Sequence, residues 1–268
     1  MRIHHLNCGS LCPLSHPVLN KFAPKLDVLN LVCHCLLIEG DDGLTLVDTG
    51  LGVEDVRKHE RLKTNFAFNQ FAKPKLDILE TAFMQIIHRG FNPRDVRNII
   101  VSHFDADHIG GIADFPEATI HVMKKEWYAA QRPEPIWRKR YHEILWKENK
   151  KIETYSPQGD LWHGLSRVQN LKGIDPSIHL VSLPGHTQGH AGVLIEDKLF
   201  FVGDSFLQET QLDGHTPLPI KIYNSAIHDD PKTAEKTLQT LRDLHHESPE
   251  LEIFCSHDQK QFNRFSRD

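Results

Sequence analysis

The sequence has little that would suit it to a membrane or to nucleic acid. No apolar run approaches the ~18 residues that a bilayer-spanning helix needs. The 31 Lys and Arg residues are outnumbered by 36 Asp and Glu, for a formal net charge of -5, and no long basic run interrupts that balance. A nucleic-acid groove and an anionic lipid surface both call for clustered cations, so neither partner is expected. The opening segment MRIHHLNCGSLCPLSHP lacks a basic stretch followed by an apolar one, so no signal peptide is expected. Cysteine is scarce as well: five residues, an odd count without the density of a disulfide framework. Cys8 with Cys12, or Cys33 with Cys35, could be read as a metal pair. Thiols in a reducing cytosol are the simpler reading, and a cytoplasmic location is expected. There is no internal repeat, no low-complexity linker and no G-x-S-x-G elbow, and no cysteine sits in a recognisable nucleophile context.

What the chain does have is histidine, 19 in 268 residues, and enough apolar residues (39%) for a sizeable core. The segment 31–40 (LVCHCLLIEG) reads as a buried strand, DDG at 41–43 as a turn, and 44–50 (LTLVDTG) as the returning strand. Leu76, Leu79, Phe83, Ile86 and Ile87 recur at helical spacing, and Gly90 is placed to stop that helix. A short buried strand is expected over 96–103, and a strand running into a helix over 118–127. An amphipathic helix is expected over 135–151, with Trp137, Tyr141, Ile144 and Leu145 on one face. That stripe suits core packing better than a lid over a substrate pocket. Closely spaced strands follow at 178–186, 191–197 and 198–204, then a helix over 230–247 capped by Asp230 or Thr233, and a last strand over 251–258. Strands with helices between them, twice over and without a composition break, fit one α/β domain across 1–268.

The chemistry collects where these strands stop. VSHFDADHIGG (101–111) places His103, Asp105, Asp107 and His108 just after an apolar strand, with Gly110 and Gly111 expected to turn the backbone tightly beneath them. His186 follows a strand in PGHTQGH, Asp204 in GD and His257 in SHD. A single His or Asp at such a place is more often a cap than a ligand. Seven of them at strand ends, which converge on one edge of an α/β sheet, point to a metal site. Imidazole suits zinc and iron, and a carboxylate can bridge two cations.

The pattern H-x-D-x-D-H followed by His, Asp and His resembles the metallo-β-lactamase superfamily, from LVDTG near the start to SHD near the end. The resemblance implies a four-layer αββα sandwich, with insertions around 51–75 and 128–175 near the active site. It implies two divalent metal ions, zinc first and Mn or Fe as alternatives. His103 and His186 would hold the first ion, Asp107, His108 and His257 the second, and Asp204 would bridge them. Asp48 would support the site from behind. One position departs, since Asp105 stands where the family has a histidine. A carboxylate can ligate zinc, so Asp105 is counted with the first site, made harder by it.

Two neighbouring cations can share a hydroxide, polarise a carbonyl or phosphoryl oxygen and steady a leaving group. Asp107 is then the candidate proton acceptor and His228, in AIHDDP, a second catalytic candidate, with His190 in support. The ending SHD together with IHDDP is most similar to the acyl-homoserine-lactonase branch. Members of that branch carry a tyrosine shortly after the bridging aspartate, whereas GDSFLQET offers Ser205, Phe206 and Leu207. A hydrolase that opens a lactone or related ester is expected. A phosphodiesterase, or an iron-dependent oxidase or dioxygenase, is the alternative. Phe66, Phe68, Phe71, Trp127, Trp137 and Trp162 suggest a small-molecule substrate with an apolar portion. A homodimer is left open.

Overall fold

Strand alternation explains how the chain builds its layers. The computed structural model describes residues 1–12, 31–58, 72–132, 140–158 and 161–266. The first sheet contains β1 (Arg2–Leu11), β2 (Leu31–Gly40), β3 (Gly43–Val47), β4 (Pro74–Lys75), β5 (Val96–Ile100), β6 (Thr119–Met123) and β7 (Ile152–Tyr155), in the order β4-β1-β2-β3-β5-β6-β7. The second contains β8 (Leu161–Trp162), β9 (Leu165–Val168), β10 (Ile178–Ser182), β11 (Ala191–Ile195), β12 (Leu199–Phe201) and β13 (Glu252–Phe254), in the order β13-β12-β11-β10-β9-β8. Successive side chains of a strand face opposite sides, and these strands are apolar on both. On β2, Cys35 and Leu37 face one core while Leu36 and Ile38 face another; on β12, Phe201 and Phe200 divide in the same way.

Three apolar interfaces result. Leu36, Ile38, Val47 and Ile100 of the first sheet meet Ile178, Leu180, Val193 and Phe201 of the second, which packs the sheets face to face. On the outer side of the first sheet, α1 (Val53–Lys58), α2 (Ala82–His88), α3 (Ala106–Ile109) and α4 (Lys124–Ala130) lie in its chain segment, and Ala82, Ile86, Ile109 and Ala129 belong to that core. On the outer side of the second sheet, α6 (Pro231–Glu247) inserts Leu238, Leu241 and Leu244. The expected four-layer αββα sandwich is the fold observed. The chain ends with α5 (Leu218–Ile227) before α6, and α7 (Gln259–Phe265) after β13.

Several elements differ from expectation in extent. The helix expected from Leu76 is a 3-10 turn over Ile78–Glu80 and then α2, because Thr81 breaks the run and caps Met84 N–H with its hydroxyl. Gly90 does end it, with φ +83°. The helix expected over 135–151 does not form among its described residues. Only the 3-10 turn Glu143–Leu145 is present, and residues 133–139, Trp137 among them, lie outside the described set. Of the expected stripe, Tyr141 and Leu145 are nonetheless buried in the first core, with Trp146 beside them, whereas Ile144 is exposed, so the stripe serves packing in part. Asp230 caps α6 as expected, accepting from Lys232 and Thr233 N–H.

Gly110 and Gly111 have a different purpose from the expected tight turn. Gly110 has an ordinary helical φ of -54°. A Cβ there would lie 2.4 Å from Asp55 Oδ2, and one on Gly111 would lie 3.0 Å from the Thr49 carbonyl. Both glycines let the 106–111 segment press against the loop after β3, which carries Asp48. Gly50 completes that seam at φ +62°, where a Cβ would lie 2.1 Å from the Cys8 carbonyl oxygen. Gly50→Ala should therefore lose about 1–3 kcal/mol of stability through strain and overpacking, read from the midpoint of a denaturant unfolding curve. An unchanged midpoint would mean that the seam tolerates a side chain.

Candidate metal centre

The ends of β3, β5, β10, β12 and β13 converge, and the loops leaving them deliver the candidate ligands to one place. Asp204 lies at its middle. Its Oδ2 is 3.5 Å from His186 Nε2 and 3.9 Å from His103 Nε2. Its Oδ1 is 3.2 Å from both His108 Nε2 and His257 Nε2. Oδ2 is also 3.2 Å from His257 Nε2, so the one carboxylate lies between the two histidine pairs. Asp107 Oδ2 sits 3.6 Å from His257 Nε2 and 3.9 Å from His108 Nε2, on the second pair's side. Asp105 Oδ2 sits 3.3 Å from His103 Nε2 and 3.0 Å from His186 Nε2, on the first pair's side. All seven predicted metal residues are brought together.

Each ring is oriented from behind, so that Nε2 points inward. His257 Nδ1–H donates to the Val32 carbonyl at 2.7 Å. His108 Nδ1–H donates to Asp48 Oδ2 at 2.8 Å. His103 Nδ1–H donates to Ser102 Oγ at 2.9 Å, and that hydroxyl donates to Asp48 Oδ2 at 2.7 Å. Asp48 also accepts from Ser102 N–H at 2.8 Å, and it holds a left-handed φ of +55° to do so. Partners of this kind fix the tautomer and direction of metal-binding imidazoles. Asp48 is where the resemblance put it, behind the site.

His228 stands beside His186. Its Nδ1 lies 3.1 Å from His186 Nδ1, on the face of that ring turned away from Asp204. Burial, reinforced by His186, lowers its pKa to about 3, so it stays neutral and accepts. It is a positioning residue for His186. His190 is likewise structural: Nδ1–H donates to the Leu183 carbonyl and Nε2 accepts the Asp204 N–H at 3.0 Å.

Three residues that were not singled out in the sequence complete the place. Glu126, fully buried on α4, accepts from Phe104 N–H, Tyr141 O–H, Thr187 O–H and Gly189 N–H. It ties the loop of His103 to the loop of His186. Arg140 forks onto Asp105, with Nε on Oδ1 and an Nη on Oδ2, both at 2.6 Å. Its guanidinium also donates to His186 Nε2 at 2.7 Å, to the Ile227 carbonyl at 2.8 Å and to Asp229 at 3.0 Å. Tyr223, on α5, is half-buried, and its phenol is pushed to a higher pKa by burial and then by the charges of Asp107, Asp204 and Asp105. A lone Arg after a tryptophan-rich stretch, a Glu inside a helix and a Tyr remote from the motif carry no local signal.

Two of the aromatic residues expected to wall a pocket, Trp127 and Trp162, pack against the cores. Trp127 packs on Phe104 and Trp146 at the first core, and Trp162 stands edge-on to Phe200 of the second sheet. Phe66, Phe68 and Phe71 lie outside the described residues. A cleft of about 460 Å³ opens on the outer side of the His186 loop, lined by Lys125, Tyr128, Arg132 and Asp229 among others, and it contains none of the ligand set.

The charges show what the arrangement can hold. Asp48, Asp107, Asp204 and Asp105 are close together and little exposed. Among the described residues, the guanidinium of Arg140 is the one permanent cation that touches them. Burial works against ionisation of Asp204 and Asp105. The histidines around Asp204, and Arg140 with His103 beside Asp105, nevertheless hold both well below the usual carboxylate range. Burial also opposes protonation of His108, yet Asp204, Asp107 and Asp48 raise its pKa well above that of free imidazole. An electron-rich pocket that lifts an imidazole so far would be eased by cations. His103 Nε2, His108 Nε2 and Asp204 Oδ1 are buried with no hydrogen-bond partner. Buried polar atoms are seldom left so, and three such atoms, lone pairs converging, fit a metal ion. The first site fits on one condition: Arg140 already uses the His186 Nε2 lone pair and must shift it toward an arriving ion.

The comparisons with known proteins agree with this chemistry. The profile described as Metallo-beta-lactamase superfamily matches residues 29–257. The chain belongs to the metallo-β-lactamase superfamily. A protein of Mycobacterium tuberculosis named probable metallo-hydrolase is 37% identical over 270 residues, covering 96% of this chain and 80% of that one. An N-acyl homoserine lactonase of Bacillus thuringiensis is 28% identical over 256 residues, covering 93% and 90%. Among solved structures, an N-acyl homoserine lactone hydrolase with N-hexanoyl-L-homoserine at its catalytic metal centre superposes with a TM-score of 0.71 at 22% identity, over 98% of this chain and 95% of that one.

Two substitutions separate the roles within this superfamily member. Asp48→Ala should weaken divalent-metal affinity about 10–100-fold, the scale of outer-partner changes, while Asp204→Ala should abolish tight binding. Competition against a chromophoric chelator measures both, and equal mild effects would reverse the assignment. Arg140→Ala leaves Asp105 buried without its cation and should cost the chelator-treated protein about 3–5 kcal/mol. Saturating divalent metal should recover part of that loss, because an ion beside Asp105 takes over the charge. Identical losses with and without metal would show that Asp105 does not face the ion.

Proposed function

We propose that this chain is a metal-dependent hydrolase holding two divalent ions, zinc first, and that it opens a lactone or a related ester. The observation that carries the two-ion reading is the position of Asp204, whose carboxylate lies between the His103–His186 pair and the His108–His257 pair, within 3.9 Å of a ring nitrogen of each. The ester reading is supported by likeness to the lactonases named above. When bound, the ions would supply Lewis acidity to a carbonyl and lower the pKa of an attacking water.

The protein's own groups complete the reaction. His103, Asp105 and His186 would hold the first ion and Asp107, His108 and His257 the second, with Asp204 available to both. Asp107 is the proton carrier. Burial raises its pKa, and the nearby Asp204 and Asp105 push the same way against His108 and His257. A carboxylate so placed accepts the proton of the attacking water at Oδ2 and returns it to the ring oxygen as the ester C–O bond breaks. Tyr223 is the phenol that is missing after Asp204. Phe206 and Leu207, which follow Asp204, are buried in packing, so α5 supplies the hydroxyl instead. Its O–H donates to the substrate carbonyl oxygen as negative charge develops there.

Purified protein should contain close to two transition-metal ions per chain and hydrolyse acyl-homoserine lactones or other lactones faster than phosphodiesters. Tyr223→Phe should lower lactone kcat/KM by about tenfold to a hundredfold, the loss of one hydrogen bond to developing charge, with metal content unchanged. Elemental analysis and a panel of lactones, thioesters and phosphodiesters check this. Faster turnover of phosphodiesters than of every lactone would move the assignment to a phosphodiesterase.

A further inference from the structure

Cys33 is placed unlike a thiol that merely fills space. Its Sγ, a carboxylate oxygen of Asp107 and a ring nitrogen of His257 all lie within 4.8 Å of one another, and all three residues are buried. The backbone fixes this arrangement from both sides. The Val32 carbonyl accepts from His257 Nδ1–H at 2.7 Å, and His34 N–H donates to the Ser256 carbonyl at 2.9 Å. β2 is therefore stitched to the loop of His257 immediately before and after Cys33. Cys33 N–H donates to Asn7 Oδ1 at 3.2 Å, beside the register shift between Asn7 and Ser10 in β1. Gly9, in that shift, has φ +146°, and a Cβ there would come within 3.3 Å of Cys33 Sγ.

Leu11, Leu31 and Ala72 pack around the same residue, and a buried thiol can act as a small hydrophobe. Packing alone leaves unexplained why the sulfur reaches two ligand atoms of the second cluster. The orphaned Nε2 of His108 and Oδ1 of Asp204 lie in the adjoining half of the centre. Sulfur, carboxylate and imidazole together make a donor set that zinc takes readily.

We propose that Cys33 is a ligand of the second ion, its thiolate joining Asp107, His108 and His257. This rests on the two-ion reading above. On binding, the S–H bond breaks, a sulfur–metal bond forms and the proton leaves to solvent; nothing is oxidised or reduced. A soft donor biases the second site toward zinc and cobalt and away from magnesium and manganese.

The test is titration of the metal-free, full-length protein with cobalt(II). Two ions should bind, and one of them should bring a near-ultraviolet sulfur-to-cobalt charge-transfer band of one thiolate's intensity. Cys33→Ser and Cys33→Val should lose the band, still bind cobalt(II), and hold the second ion at least about tenfold more weakly, the scale on which changes around a metal ligand act. X-ray absorption of the zinc-loaded wild type should show one sulfur neighbour at about 2.3 Å. This last measurement decides the matter even where a variant fails to fold. Cobalt binding without the band, a band that survives in Cys33→Ser, or zinc without a sulfur neighbour overturns the proposal. A protein that binds no cobalt at all overturns the two-ion reading, and the role of Cys33 with it.

Discussion

Concentrated negative charge in a dry place governs this molecule. Asp48, Asp107 and Asp204 are each nearly inaccessible, and Asp105 is only partly exposed beside them. Ionised carboxylates resist burial unless paired. The chain meets that constraint in two ways. Asp48 is satisfied by hydrogen bonds from Ser102 and His108, so its charge orients ligands. Asp105 is forked by Arg140. Asp107 and Asp204 are left facing imidazoles whose outward nitrogens are already committed, so those rings can donate to them only when protonated. The histidines that would neutralise them by protonation are the same ones that a cation would use. A metal-bound state resolves both demands at once.

The scaffold is built to keep that cluster from relaxing. Glycines at 50, 52, 110 and 111 allow the loop of Asp48 to touch the segment of His108 backbone to backbone. Glu126 does the equivalent for His103 and His186 by accepting three hydrogen bonds from their two loops and a fourth from Tyr141. Its burial raises its own pKa, and donors from Thr187 and Phe104 oppose that rise. The cost of an internal carboxylate is thus set against fixed geometry at two ligands. The apolar interface between the sheets supplies the rigidity on which these loops hang.

How much of this could be read from the sequence follows from the range of each interaction. β2, β3, β5 and α6 carry their own period and caps, and the ligands announce themselves by recurring where apolar runs stop. Those features are local. Arg140 and Glu126 act through contacts 15 to 89 residues away in the chain, and nothing beside them or beside Tyr223 in the sequence marks their targets. β1 was missed because its outward positions carry histidine, asparagine and serine in place of a clean apolar run. The amphipathic stripe near 141–146 was legible as core and illegible as coil, since burial and helical spacing produce the same pattern. His228 was singled out from its neighbourhood in the chain; only the direction of the His186 ring shows that it stands behind that histidine.

Asp105 and Arg140 are best understood as one exchange. The superfamily pattern has a neutral imidazole where this chain has Asp105. A carboxylate alone would add one negative charge to the first site and make it a poorer Lewis acid. Arg140 returns that charge within 2.6 Å, so the pair is electrically equivalent to the ring it replaces. The carboxylate oxygen has a second lone pair, so accepting from a guanidinium does not prevent it from facing an ion. The His186 Nε2 has only one, and Arg140 reaches that too. The first site is therefore neutral overall yet guarded by a fixed cation, whereas the second is electron-rich and opens onto the sulfur of Cys33. An ion entering the centre meets attraction at the second site and competition at the first. On the two-ion reading proposed above, that asymmetry would favour filling the second site first, and the first only when Arg140 yields His186.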